Sequence, residues 1–131
     1  MDYTKPRIDR DITRLVERLE AIEEQVGIRL EAISARLTIY DDYIVYVFGE
    51  VHPINGTTIK HPVGLFLSFY DTAGRVVDVH SSSAYFDPAR FYGLDVFRLG
   101  GHCQRTAIMP ANLARIRLIP KVMQLIPRNI R

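Results

Sequence analysis

The 131-residue chain has one cysteine, Cys103, and no tryptophan. A single thiol excludes an intrachain disulfide framework and a four-thiolate zinc site. No apolar run approaches the ~18 residues of a membrane span. The opening residues, Met1-Asp2-Tyr3-Thr4-Lys5-Pro6-Arg7, lack the apolar stretch of a secretion signal, so the expected location is cytoplasmic. There is no glycine-rich phosphate cradle: Gly100-Gly101 reads as a turn, not as a strand-to-helix loop. What is present suits an ordinary folded domain, with 47% hydrophobic and 24% charged residues. A chain of this size buries roughly 70% of its unfolded surface and needs no covalent staple.

The net charge of +2 is too small to imply a polyanionic partner, but its distribution is uneven. Residues 1–37 hold 7 basic and 8 acidic side chains, and residues 38–95 hold 3 and 7. The last 36 residues hold Arg98, Arg105, Arg115, Arg117, Lys121, Arg128 and Arg131 with no acid. Arg98, Arg105, Arg115, Arg117 and Lys121 form a candidate basic patch for nucleic acid or an acidic polymer. The competing reading is that they offset the acidic middle of the chain, which makes a nucleic-acid partner the lesser expectation.

From Ile8 to Leu37 the apolar positions are Ile8, Ile12, Leu15, Leu19, Ile22, Val26, Leu30, Ile33 and Leu37. Steps of 3 and 4 predict a coiled-coil helix, with one extra step of 4 between Val26 and Leu30 that locally unwinds the supercoil. Arg18-Leu-Glu-Ala-Ile22 recurs as Arg29-Leu-Glu-Ala-Ile33, eleven residues on. Pro6 suits a first helical turn, Asp9 and Asp11 suit its positive end, and Gly27 is a mild weakness. Such a helix is about 45 Å long, and its narrow seam argues for self-association. The stretch from Arg18 to Glu23 is similar to the Arg-h-x-x-h-Glu signature of three-stranded coiled coils, in which the arginine forks onto a neighbouring helix's glutamate. A homotrimer is favoured over a homodimer.

Beyond Leu37 the helical period gives way to β-branched and aromatic runs. Strands are predicted at Tyr43–Phe48, Val63–Tyr70, Arg75–His80, Tyr92–Leu99 and Leu113–Ile119, with a tight turn at Asp71–Gly74. Ile116 and Leu118 alternate with Arg115 and Arg117, so the last strand should be half exposed. Punctuation every ten residues or so indicates an antiparallel sandwich. The expected fold is therefore α+β by content, an N-terminal coiled-coil helix followed by a small antiparallel β-sandwich. Residues 1–7 form a tail, 8–37 the helix, 38–120 the sandwich and 121–131 a basic apolar tail.

Leu67-Ser68-Phe69-Tyr70-Asp71, followed by Gly74 and Val76-Val77, resembles the FxLYD domain, an immunoglobulin-like bacterial sandwich. Gly49-Glu-Val51 with Asn55, and Asp87-Pro-Ala-Arg-Phe91, fit the same pattern, and the likeness spans roughly Tyr43 to Pro120. Leu67 and Phe69 exchange the Phe and Leu of that pattern. The resemblance implies a fold and carries no catalytic residues.

No residue constellation points to an enzyme. His102 and Cys103 are adjacent on a strand, so they face opposite sides and cannot easily share a proton. His52, His61, His80 and His102 lie on separate elements without metal-ligand spacing, and no metal or cofactor is expected unless folding gathers them. Asp71, Asp78 and Asp87 lack a dense oxygen-ligand loop, and Asp71 reads as a turn residue. The tail Lys121–Ile126 could add an edge strand, swap onto a second subunit or dock a partner. The expectation is a non-enzymatic, homo-oligomeric structural or interaction protein. Its coiled-coil stalk would gather sandwich heads for multivalent contacts, with a further protein engaged through the sandwich edge or the tail.

Overall fold

Among the described residues, α-helix forms in one stretch rich in helix formers. In a computed structural model that describes residues 8–39, 43–77, 79–103 and 112–124, α1 (Glu20–Val26) is the single α-helix among those residues. Its sequence is Glu-Ala-Ile-Glu-Glu-Gln-Val, mostly strong helix formers, with Glu20 and Glu23 in the first turn near the positive end of the dipole. Gly27 ends it. At φ +91° this glycine sits in the left-handed region and donates its N–H to the Glu23 and Glu24 carbonyls. The residue expected to weaken a long helix is the cap that stops a short one.

The coiled-coil helix expected over residues 8–37 is therefore absent, and the chain is mostly β rather than α+β. The segment forms β1 (Ile8–Asp11), a 3-10 turn (Thr13–Leu15), β2 (Val16–Arg18), α1 and most of β3 (Ile28–Ile39). Burial along β3 explains the mistaken period. Ile28 and Leu30 face the core at strand spacing, as do Ala35, Leu37 and Ile39. Between them the register slips: Glu31 lies opposite Glu50 and Ser34 opposite Phe48, so Ala32 and Ile33 together face Gly49. This β-bulge, with Ala32 at φ +53°, restores the inward phase and turns two runs of alternation into apparent steps of 3 and 4.

The remaining strands are β4 (Tyr43–Pro53), β5 (Val63–Asp71), β6 (His80–Ser81), β7 (Ala84–Phe86), β8 (Asp95–Cys103) and β9 (Leu113–Val122). One sheet has the order β1-β3-β4-β8-β6, the other β2-β9-β5-β7. They form a sandwich-like pair whose inner faces include Val45, Val47, Val51 and Leu99 on one side and Leu65, Phe69, Ile116 and Leu118 on the other. All strand pairs are antiparallel except β2 with β9, which is parallel. Ile116 and Leu118 are fully buried while Arg115 and Arg117 point outward, as the alternation predicts.

Two turns differ from expectation. Asp71 does act as a turn residue: its Oδ1 accepts the Ala73 and Arg75 backbone N–H groups at 2.9 Å each. The Arg75 amide chiefly holds its carboxyl below the usual value. The return arm, however, makes only one bridge among the described residues, Val76 to Tyr70, before the chain reaches β6 in the other sheet. Gly100-Gly101 is not a turn but lies inside β8, where a Cβ on Gly101 would stand 2.5 Å from the Phe69 ring. Absence of a side chain there lets the second sheet's largest core group seat against the first. Among the described residues, no helix is long and apolar enough to cross a membrane.

The joint between helix and sheets is a buried carboxylate. Glu23 is 2% exposed and receives Arg18 Nη2 at 2.8 Å, Arg18 Nε at 3.2 Å and the Leu30 backbone N–H at 2.9 Å. The arginine does fork onto a glutamate, but within one chain rather than between helices. Glu23→Ala leaves the Leu30 N–H and the guanidinium without their acceptor, and should lower stability by about 3 kcal/mol in a urea titration. Ala32→Gly relieves a left-handed alanine and should raise stability by roughly 0.5–1 kcal/mol in the same assay.

Candidate interaction surfaces

The predicted seam residues are dispersed by the fold. Ile12, Val26, Leu30 and Leu37 are buried in the core, and Leu15 and Ile33 pack against it. Ile8 belongs to β1, where it is registered with Ile39, and Leu19 occupies the N-cap position of α1. Arg18 and Glu23 pair internally, and Ile22 stays exposed, at 37%. The stripe is thus largely consumed inside the sandwich.

The predicted basic patch is divided. Arg98 lies on the outer face of the first sheet, its guanidinium 4.9 Å from the Tyr46 ring centre. Arg115, Arg117 and Lys121 lie on the outer face of the second sheet. There Arg115 and Arg117 cover the Tyr70 ring at 4.5 and 5.1 Å, and Lys121 covers Phe66 at 5.2 Å. Register explains the contacts: Tyr70 is opposite Arg115, Ser68 opposite Arg117 and Gly64 opposite Lys121. Glu17 on β2 approaches both arginines, at 3.3 and 3.5 Å, and offsets one of the three charges. Arg105 lies outside the described residues.

A second region is built where α1 and the start of β3 adjoin the end of β4, with the start of β8 paired beside it. Ile28 is registered with Pro53 and Val51 with Asp95, which brings these strand ends together. Between α1 and β3 runs a groove of about 530 Å³ bordered by Glu20, Ala21, Ile28, Arg29 and Ile54. Exposed apolar side chains include Ile22 on α1, Ile54 directly after β4, Tyr92 and Leu94 in the loop before β8, and Val96 on β8. They are five of the eight large hydrophobic residues that stand exposed among the described residues. Tyr92 is 85% and Val96 68% exposed. Val96 sits directly opposite Glu50.

Alongside lies a polar square formed by two cross-strand pairs, Arg29 with His52 and Glu31 with Glu50. His52 Nε2 is 3.3 Å from Glu31 Oε2 and 3.0 Å from Glu50 Oε1, while Arg29 Nε donates to Glu31 Oε1 at 2.7 Å. Linear spacing hides this group because its members are on two strands, and only the hairpin register joins them. His80 and His102 are also registered opposite each other, between β6 and β8. Cys103 ends β8 opposite Tyr43. Asp78, the tail from residue 125 onward and the first seven residues lie outside the described residues, whereas Lys121 and Val122 complete β9.

Comparison with protein-family models, curated proteins and solved structures finds no match. The resemblance to the FxLYD domain therefore rests on the residues that carry it.

Proposed function

We propose that this chain is a non-enzymatic interaction module, an immunoglobulin-like sandwich of FxLYD type that offers one end to another protein. The observation supporting this reading is that Ile22, Ile54, Tyr92, Leu94 and Val96 stand exposed on α1, just after β4 and in the stretch leading into β8. Single exposed apolar residues are ordinary, but several on segments flanking adjoining strand ends, with Ile54 bordering the groove, suit a protein contact surface. Association with further copies of the chain belongs to the same proposal, carried by this end instead of a stalk. The test compares affinity capture from the source cell and light-scattering mass for the parent chain and a Tyr92→Ser/Val96→Asp variant. Proteins retained by the parent and lost by the variant are the expected result, with a fall in mass reporting self-contact. Identical partners and identical mass would remove this end from the function.

A second reading is favoured by a specific observation, the stacking of Arg115, Arg117 and Lys121 over Tyr70 and Phe66. Cations already lie over these rings, so the face suits phosphate or carboxylate contact more than base stacking. Three phosphate contacts to a single strand give a slope of about −2 in log affinity against log salt. A fluorescent oligonucleotide titrated at several salt concentrations measures that slope. Binding unchanged in Arg115→Ala/Arg117→Ala, or no binding at low salt, would dismiss this reading.

A further inference from the structure

We propose that Glu31, Glu50 and His52 form a site for a divalent transition-metal ion, with Zn²⁺ the best match, on the outer face of the first sheet. The site is independent of the interaction-module reading. Its ligand atoms, two carboxylate oxygens and the His52 ring nitrogen, all lie within 4.8 Å of one another. Zinc bonds of about 2.0–2.2 Å at tetrahedral angles set neighbouring ligand atoms roughly 3.3–3.5 Å apart. The observed 3.3 Å from His52 Nε2 to Glu31 Oε2 and 3.0 Å to Glu50 Oε1 need only small side-chain movements to reach that spacing.

Three further features of the same residues point to a cation. Glu31 and Glu50 are directly opposed in the ladder, where like charges repel, and Arg29 offsets only one of the two. His52 Nε2 faces an oxygen from each, and one N–H cannot align with both, whereas a metal ion satisfies all three donors at once. Arg29 occupies Glu31 Oε1 and so leaves Oε2 turned toward His52, the kind of outer hydrogen bond that orients a ligating carboxylate. A nitrogen and two oxygens suit zinc and its neighbours better than magnesium or calcium, which prefer all-oxygen sets. Half-burial leaves the outward coordination position open to water or to a donor atom from a partner.

The experiment is calorimetric titration of the full chain with ZnCl₂, together with thermal unfolding in Zn²⁺ and in Mg²⁺. One equivalent of Zn²⁺ is expected to bind, and a hundredfold excess over Kd should raise Tm by about 10 °C. Losing an outer-shell partner costs 10–100-fold in metal affinity, so losing a direct ligand in His52→Gln or Glu50→Gln should weaken Zn²⁺ by about 100-fold or more. His102→Gln, which removes one of the registered histidine pair on β6 and β8, should leave it unchanged. The proposal is overturned if the parent chain binds no Zn²⁺, or if Mg²⁺ raises Tm equally. It is also overturned if affinity follows His102 instead of His52 and Glu50.

Discussion

A single buried carboxylate ties together the three parts of this fold. Arg18 ends β2 in one sheet, Glu23 lies on α1, and Leu30 belongs to β3 in the other sheet. Charge-assisted bonds from the arginine fork and one backbone N–H converge on the same side chain, so helix and sheets share one polar joint. A buried carboxylate is tolerated only when its oxygens are bonded this fully. The joint also sets the direction of the chain: β2 runs along β9, α1 turns it, and Gly27 releases it into β3.

The predictions for the later strands and for the first segment had different fates for a physical reason. Tyr43–Phe48, Val63–Tyr70 and Leu113–Ile119 alternate or run apolar at lengths that only strands accommodate, and each lies inside an observed strand. Residues 28–39 also alternate, but Ala32 and Ile33 bulge against Gly49, and that irregularity converts a period of 2 into sums that imitate a heptad. Local periodicity carries no record of which residues are unpaired. The Arg18–Glu23 attraction was visible as a pair of residue types, while its partner chain was not, because a fork that reaches five residues along a helix–strand corner looks the same in sequence as one between helices.

The candidate sites were hidden for a related reason. Linear clustering grouped Arg98 with Arg115, Arg117 and Lys121, yet β8 and β9 belong to different sheets, so their outward residues face away from one another. The reverse happened with Glu31, Glu50 and His52, which are separated in sequence and joined by the β3–β4 hairpin. Strand register, not proximity along the chain, decides which charges meet. His52 is the instructive case: as an isolated histidine it has no metal-ligand spacing, and two facing glutamates give it that meaning.

The geometry of the sheet edges bears on how such a protein can meet others. β1, β2, β6 and β7 close the two sheets, and each is only two to four residues long. Short edges offer few unpaired backbone groups, which is how β proteins avoid edge-to-edge aggregation. A partner adding a strand would therefore gain little backbone bonding from any of them. Parallel pairing with β2 covers three of the ten residues of β9, Ile116–Leu118, along that edge. For a partner that docks through side chains on faces and ends, the free energy of association comes from apolar contact and from charge. Apolar surface is the stronger source because rim charges contribute little in water. That weighting favours the end beside α1 over the basic face of the second sheet, where Glu17 already offsets one of three cations.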